Sequence, residues 1–254
     1  MRVVVTRPSP QAEAWAARLV ARGIDAIALP LLAIEAPRDP AALDDARRSL
    51  AAFDWVVFVS PTAVERFLGD DGRPVPWPAG AGRAAGPGVG TAAALRRAGV
   101  PEASIVAPAE GSGSFDAEAL WATIARRDRP ITRGDRVLVV RGTEGSDWLA
   151  ERCREAGATV RVVAAYRRVD KVLGAAERSA LEAALAEPAG HAWLVASGSA
   201  VHALVRAAGP RLATATAIAT HPRIAARARD AGFGRVLEAA AGFDAVVQCM
   251  RCIE

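Results

Sequence analysis

Apolar runs of strand length recur along this chain, each followed by a stretch in which apolar residues fall at helical spacing. The clearest runs are Val3–Val5, Trp55–Val59, Val137–Val140 and Trp193–Ala196. Short, uninterrupted and valine-rich, they read as strands buried on both faces, as in a parallel sheet covered by helices. The longest apolar stretch, Ala26–Ile34, is still strand-sized and far below the roughly 18 residues of a membrane span.

The pattern occurs twice. Arg2-Val-Val-Val-Thr-Arg7 matches Arg136-Val-Leu-Val-Val-Arg141, and the same ungapped spacing carries Trp15 onto Leu149, Leu19 onto Cys153 and Gly23 onto Gly157. Each copy continues into an apolar stretch, Ile27–Leu32 in one and Arg161–Tyr166 in the other. Strand, helix, glycine cap and strand make a βαβ unit, which requires a parallel sheet. Further matches follow in the same order: Trp55–Val64 with Trp193–Val201, Thr91–Gly99 with Ile224–Gly232, and Phe115-Asp-Ala with Phe243-Asp-Ala. The expected fold is therefore α/β: two similar parallel-sheet domains from an internal duplication, with a cleft between them. The Gly/Pro-rich stretch 69–90 reads as a long surface loop, and 110–114 as a second flexible turn.

Composition narrows the chemistry. The 254 residues carry a net charge of +4, almost wholly from arginine, since Lys171 is the only lysine. Arginine forks suit carboxylates and phosphates. They are scattered along helices without interleaved aromatics, so nucleic acid is not expected as a partner. Three cysteines cannot form a fully paired disulfide framework, and Cys249-Met-Arg-Cys252 reads as an incidental feature of a terminal helix. Three histidines lack ligand spacing, so no metal is expected. The apolar part of the N-terminus is too short for a signal peptide, which makes cytoplasmic the expected location.

In open parallel sheets, ligands bind beyond the carboxyl ends of strands, where helix N-termini present free N–H groups. Six such ends are visible: Thr6-Arg7-Pro8, Ser60-Pro61-Thr62, Gly88-Val89-Gly90-Thr91, Arg141-Gly142-Thr143, Ser197-Gly198-Ser199 and Thr220-His221-Pro222-Arg223. Any one of them is an ordinary cap or turn; six together point to an anionic ligand. Gly86-Pro-Gly-Val-Gly90 lacks the third glycine and the downstream acid of a dinucleotide fingerprint, and no P-loop or nucleophile elbow is present. Tyr166 is the only tyrosine, placed just before Arg167-Arg168. A lone tyrosine is usually core filler; at a domain junction beside two arginines it is also a candidate proton donor.

Taken in order, Val5-Thr6-Arg7-Pro8, Pro30-Leu31-Leu32, Phe58–Val64, Gly88–Thr91, Leu138–Gly142 and Ala165–Arg168 resemble the uroporphyrinogen-III synthase family. The resemblance implies two α/β domains that exchange their ends, residues 1–34 with 168–254 and residues 35–167. They would be joined by a two-strand hinge near Leu31–Glu35 and Ala164–Val169. It implies a cofactor-free enzyme acting on hydroxymethylbilane, a linear tetrapyrrole with eight carboxylates, whose terminal hydroxyl leaves as water before closure with inversion of ring D. A monomer is expected on separate grounds, since no amphipathic element is left without a lobe to cover it. On this resemblance Tyr166 assists departure of the hydroxyl. Ser60, Thr91 and Ser197 bind substrate, with Thr6, Arg7, Thr62, Gly90, Arg141, Gly142, Ser199 and Arg223 as further contacts. Two positions depart from the family pattern: Ser146, where an arginine is common, and Ile224, where a hydroxyl residue is common. The rival readings are a two-lobed small-anion binding or effector-sensing protein without catalysis, and a nucleotide-dependent enzyme built on Gly86–Gly90.

Overall fold

A computed structural model describes residues 1–69, 74–109, 116–240 and 242–252. The chain forms two compact units, Met1–Ile34 with Val169–Glu254, and Glu35–Arg168.

In chain order the first unit opens with β1 (Arg2–Val5), α1 (Gln11–Val20) and β2 (Ala26–Ala28). Strand β3 (Leu32–Glu35) leads into the second unit, which continues with α2 (Pro40–Arg48), β4 (Trp55–Phe58), α3 (Pro61–Leu68), β5 (Arg83–Ala85) and α4 (Val89–Arg97). Then come β6 (Ile105–Val106), α5 (Ala117–Ala125), β7 (Arg136–Gly142), α6 (Trp148–Glu155) and β8 (Thr159–Asp170). The chain returns to the first unit with α7 (Ala175–Ala186), β9 (His191–Val195), α8 (Gly198–Ala208), β10 (Thr216–Ala219), α9 (Pro222–Asp230), β11 (Arg235–Glu238) and α10 (Phe243–Arg251). Among the described residues no helix is long and apolar enough to cross a membrane.

The first unit's sheet runs β2-β1-β9-β10-β11, every pair parallel. Its strands alternate cleanly. Val3 and Val5 pack with Leu194, Ile218 and Leu19 of α1 and Val246 of α10. Val4 faces the other way, with Trp193, Leu181 of α7, Leu204 of α8 and Ala225 of α9. The continuous apolar runs thus serve two helical layers at once. In the second sheet, β3-β8-β7-β4-β5-β6, Trp55, Val57, Val137 and Val139 meet Leu120 of α5 and Leu149 of α6. Phe58 meets Phe67 of α3 edge-on, ring centroids 5.7 Å apart. The strands matched in sequence, β1 with β7 and β4 with β9, occupy equivalent places in the two orders. Gly23 and Gly157 both adopt positive φ, +78° and +88°, just past α1 and α6, a conformation open to glycine at little cost.

Two sequence expectations need correction. The apolar stretch Ile27–Leu32 is not one strand: Pro30, which has no N–H to give, lies between β2 and β3, and these belong to different sheets. The segment 69–90 is not a continuous loop, because β5 pairs with β4 inside it, Trp55 opposite Arg83, and α4 begins before its end. Three residues, Arg-Ala-Ala, give no strand signal of their own. The glycine beside them reflects close packing: a Cβ on Gly82 would stand 1.9 Å from the carbonyl oxygen of Asp54. Backbone cannot yield as a side chain can, so Gly82→Ala is expected to destabilise the protein by about 3 kcal/mol, read as a lower midpoint in urea unfolding. The predicted turn at 110–114, with Phe115, lies outside the described residues.

Candidate active site

Tyr166 lies near the end of β8 and is 1% exposed. Strands β7 and β8 keep a regular parallel register as far as Arg141 opposite Ala164, then slip by one so that Gly142 faces Tyr166. Such a bulge re-aims a side chain, and here it leaves Ala165 and Tyr166, neighbours in sequence, both buried. Thr143 closes it. Its N–H donates to the Tyr166 carbonyl at 2.8 Å and its hydroxyl to the same oxygen at 3.2 Å. The ring lies against Gly142, where a Cβ would stand 2.8 Å from Cε2 and 2.9 Å from Cζ.

Among the described residues, two groups reach the phenol oxygen. Nη2 of Arg168 donates to it at 2.9 Å, and the guanidinium carbon stands 5.0 Å from the ring centroid. Ser60 Oγ lies 3.3 Å away, long for a bond between hydroxyls. The two neighbouring arginines differ. Arg167 is paired with Glu35, whereas Arg168 has no carboxylate partner among the described residues.

Ser60 is also the N-cap of α3, its Oγ accepting from the Ala63 N–H at 3.1 Å. Ser197 caps α8 in the same way, accepting from Ala200 at 3.2 Å. Serine suits both places because its oxygen satisfies a helix donor with no backbone partner. Ser60→Ala and Ser197→Ala are each expected to lower stability by about 1 kcal/mol, measured by urea unfolding.

The other site residues are spread over both units. In the second unit, Thr62 is half-buried on the first turn of α3, and Gly90 is exposed on the first turn of α4. Thr91 is 3% exposed, and its methyl occupies the space left by Gly86, where a Cβ would stand 2.4 Å away. Glycine at 86 thus admits Thr91 and is accounted for without a dinucleotide. Arg141 binds the Gly145 carbonyl and pairs with Asp147 at 3.2 Å, so its charge is already met within its own turn. Ser146 caps that turn, accepting from the Trp148 N–H at 3.2 Å.

In the first unit, Thr6 is fully buried and donates its hydroxyl to the Leu194 carbonyl at 2.8 Å. Here it fastens β1 to β9. Arg7 stacks on Trp15, 4.1 Å from the ring centroid, and its buried Nε has no hydrogen-bond partner among the described residues. Burial draws the Arg7 guanidinium down to about 10, still charged at neutral pH. Ser199 is half-buried at the start of α8, and Arg223 is exposed on the first turn of α9. Gly198 leaves room for Arg227, whose Nη1 would lie 2.1 Å from a Cβ there. Arg227 had no signal in the sequence; Thr143 stood in a candidate strand end and Arg168 beside Tyr166, but their contacts with Tyr166 depend on the bulge. The Cys153 thiol is buried and pushed up to about 11, too protonated for nucleophilic work.

The assembly of strand-end serine, tyrosine and arginine in the second unit can place a hydroxyl proton under the control of an adjacent cation. Comparison with known proteins agrees with a catalytic reading. The uroporphyrinogen-III synthase (HemD) family model matches residues 13–248. The chain is 33% identical over 182 residues to the uroporphyrinogen-III synthase of Salmonella typhimurium, covering 70% of each protein. A mutant uroporphyrinogen III synthase from Thermus thermophilus shares the fold with a TM-score of 0.58 at 19% identity, over 99% of this chain and 98% of that one. So does the uroporphyrinogen-III synthetase of Helicobacter pylori, with a TM-score of 0.58 at 16% identity over the whole of both chains.

Proposed function

The chain belongs to the uroporphyrinogen-III synthase family, and from that premise we propose that Tyr166 is the proton donor in its cyclisation of hydroxymethylbilane. The substrate must lose a hydroxyl from its terminal carbon, and hydroxide is a poor leaving group. Protonation by the phenol lets the C–O bond break with release of water, while the adjoining pyrrole nitrogen supplies electron density to the carbon left behind. Inversion then requires the new carbon–carbon bond to form at the already substituted α-carbon of ring D. That carbon's old bond to the ring C–D bridge breaks, and the freed bridge carbon bonds to the open α-carbon of ring D. The ring proton lost on rearomatisation balances the one given, and the phenolate is reprotonated.

The observation that carries this reading is the hydrogen bonding of the phenol. Arginine can only donate, so the 2.9 Å contact from Arg168 occupies a lone pair of the phenol and leaves its hydrogen available. The 3.3 Å contact to Ser60 is weak enough to be exchanged for a substrate oxygen. Access to so buried a hydroxyl requires movement. We place that movement at the two chain crossings between the units, 34/35 and 168/169, the second of which adjoins Arg168.

Ser60, Thr62, Gly90, Thr91, Arg141 and Gly142 in one unit, and Thr6, Arg7, Ser197, Ser199 and Arg223 in the other, are assigned in this proposal to gripping and shaping the substrate. Arg7, with unspent donors, is the strongest carboxylate partner among them, and Thr6 the weakest because its hydroxyl is engaged. Monomeric action in the cytoplasm and descent of the two units from one duplicated ancestor belong to the same proposal; the matching strand orders support the duplication. Because Ser60→Ala and Ser197→Ala share the cost of a lost cap and, in this proposal, of one substrate contact, comparing their kcat isolates the Tyr166 contact. The Ser60 variant is expected to be the slower, by about tenfold for one lost hydrogen bond. Equal kcat would show that the Ser60 contact with the phenol does not serve the reaction.

A further inference from the structure

Resting on the assignment of Tyr166 as donor, we propose that Arg168 is a positioning residue for the reaction, holding the phenol by one lone pair so that its proton is presented to the leaving oxygen. Four observations converge on it. Its Nη2 donates to the phenol oxygen at 2.9 Å, the shorter of the two contacts that oxygen makes. Its guanidinium stands over the same ring at 5.0 Å, so the contact is fixed from two directions. It has no carboxylate partner among the described residues, whereas Arg167 next to it is neutralised by Glu35. And it follows the bulge that brings Tyr166 opposite Gly142, and residue 168 reaches back to the hydroxyl of residue 166 on the same strand.

A guanidinium hydrogen-bonded to the phenol favours the oxygen most when it carries negative charge. That charge appears only as the proton passes to the departing hydroxyl. The arginine therefore contributes more in the transition state than in the ground state, the condition for raising turnover without tightening substrate binding. A residue gripping a substrate carboxylate would do the reverse, lowering KM with little effect on kcat. The two roles separate cleanly in kinetics.

The test is R168Q and R168K assayed with hydroxymethylbilane beside Y166F, R167Q and the double variant Y166F/R168Q. The expected result is a fall in kcat of roughly 30-fold for R168Q, within the range for loss of a charge-assisted hydrogen bond, with KM within about twofold. R168K is expected to recover part of the loss, because lysine keeps a donor but not the planar fork. In the Y166F background R168Q should cost nothing further, as two residues acting through one contact are not additive. Because the chain has one tyrosine, a 13C label at its Cζ yields a single resonance, which R168Q should move and R167Q should leave in place. Unchanged kcat in R168Q, a raised KM with kcat kept, or an equal further loss in the Y166F background would each overturn the proposal. Should R168Q fail to fold, the kcat of R168K and the shift of the tyrosine resonance in R168K decide in its place. Wild-type turnover in Y166F would instead overturn the donor assignment, so the two failures are distinguishable.

Discussion

Gly142→Ala is expected to slow turnover by about 10- to 100-fold and to lower stability by about 2 kcal/mol. The added Cβ would fall 2.8–2.9 Å from the ring of Tyr166, closer than unstrained carbon atoms approach. The ring has little freedom to retreat, because Thr143 holds the Tyr166 carbonyl through two donors and the side chain is buried. The strain of overpacking a tight site is about 1–3 kcal/mol. The kinetic loss, about 1.4–2.7 kcal/mol for 10- to 100-fold, is comparable to the thermodynamic one, since a displacement near 1 Å at a catalytic group can cost about a hundredfold. Gly90→Ala is the comparison: its Cβ would meet only Pro61 Cγ, at 3.5 Å, an ordinary contact, so stability should hold there. Urea unfolding and steady-state kinetics on the two variants check both halves.

Tyr166→Phe is expected to have the largest effect on catalysis of any single change, about 10²- to 10³-fold in kcat, in the range supplied by general acids. Substrate affinity should change little, because the hydroxyl does its work on a proton in flight. The stability cost is expected near 1–2 kcal/mol. Ser60 keeps its bond to the Ala63 N–H, and the half-buried Arg168 loses one acceptor but retains access to water. A variant that loses no more than about 2 kcal/mol of stability, and so stays folded in the assay, yet turns over a hundredfold more slowly would locate the loss in chemistry.

Much of the architecture was legible because it is written in contiguous segments. Val3–Val5 and Trp193–Val195 are buried on both faces and need no distant partner to be recognised as strands. Ser60 and Ser197 announce helix starts through local capping chemistry. Gly23 and Gly157 mark helix ends because positive φ favours glycine. Strand β5 was illegible because Arg-Ala-Ala forms a strand only beside Trp55–Val57, and Gly82, read as a loop residue, is there for close approach to Asp54. Pro30 divides a run whose hydrophobicity alone looked continuous.

The site was legible in part for the same reason. Tyr166 stood out by being alone, and Ser60 and Thr91 by their places at strand ends. The bulge that turns Tyr166 inward leaves no trace in the sequence, because it depends on register with β7. Gly142 was read as an amide contact, yet what the fold requires there is the absence of a side chain. Thr6 was read as a ligand contact, but its hydroxyl is committed to Leu194. Arg141 was read as a substrate contact, and in the fold it also pairs with Asp147. In each case the decisive partner lies elsewhere in the chain or in the turn geometry, where periodicity and motif carry no information.

The most direct test of Tyr166 as the proton donor is the isomer content of the product. Wild-type protein and Tyr166→Phe would be incubated side by side with hydroxymethylbilane, and uroporphyrinogens III and I counted over time. With the donor removed, enzymatic closure slows towards the spontaneous rate, so the wild type should yield isomer III and the variant chiefly isomer I. Isomer III formed by the variant at the wild-type rate would contradict the assignment.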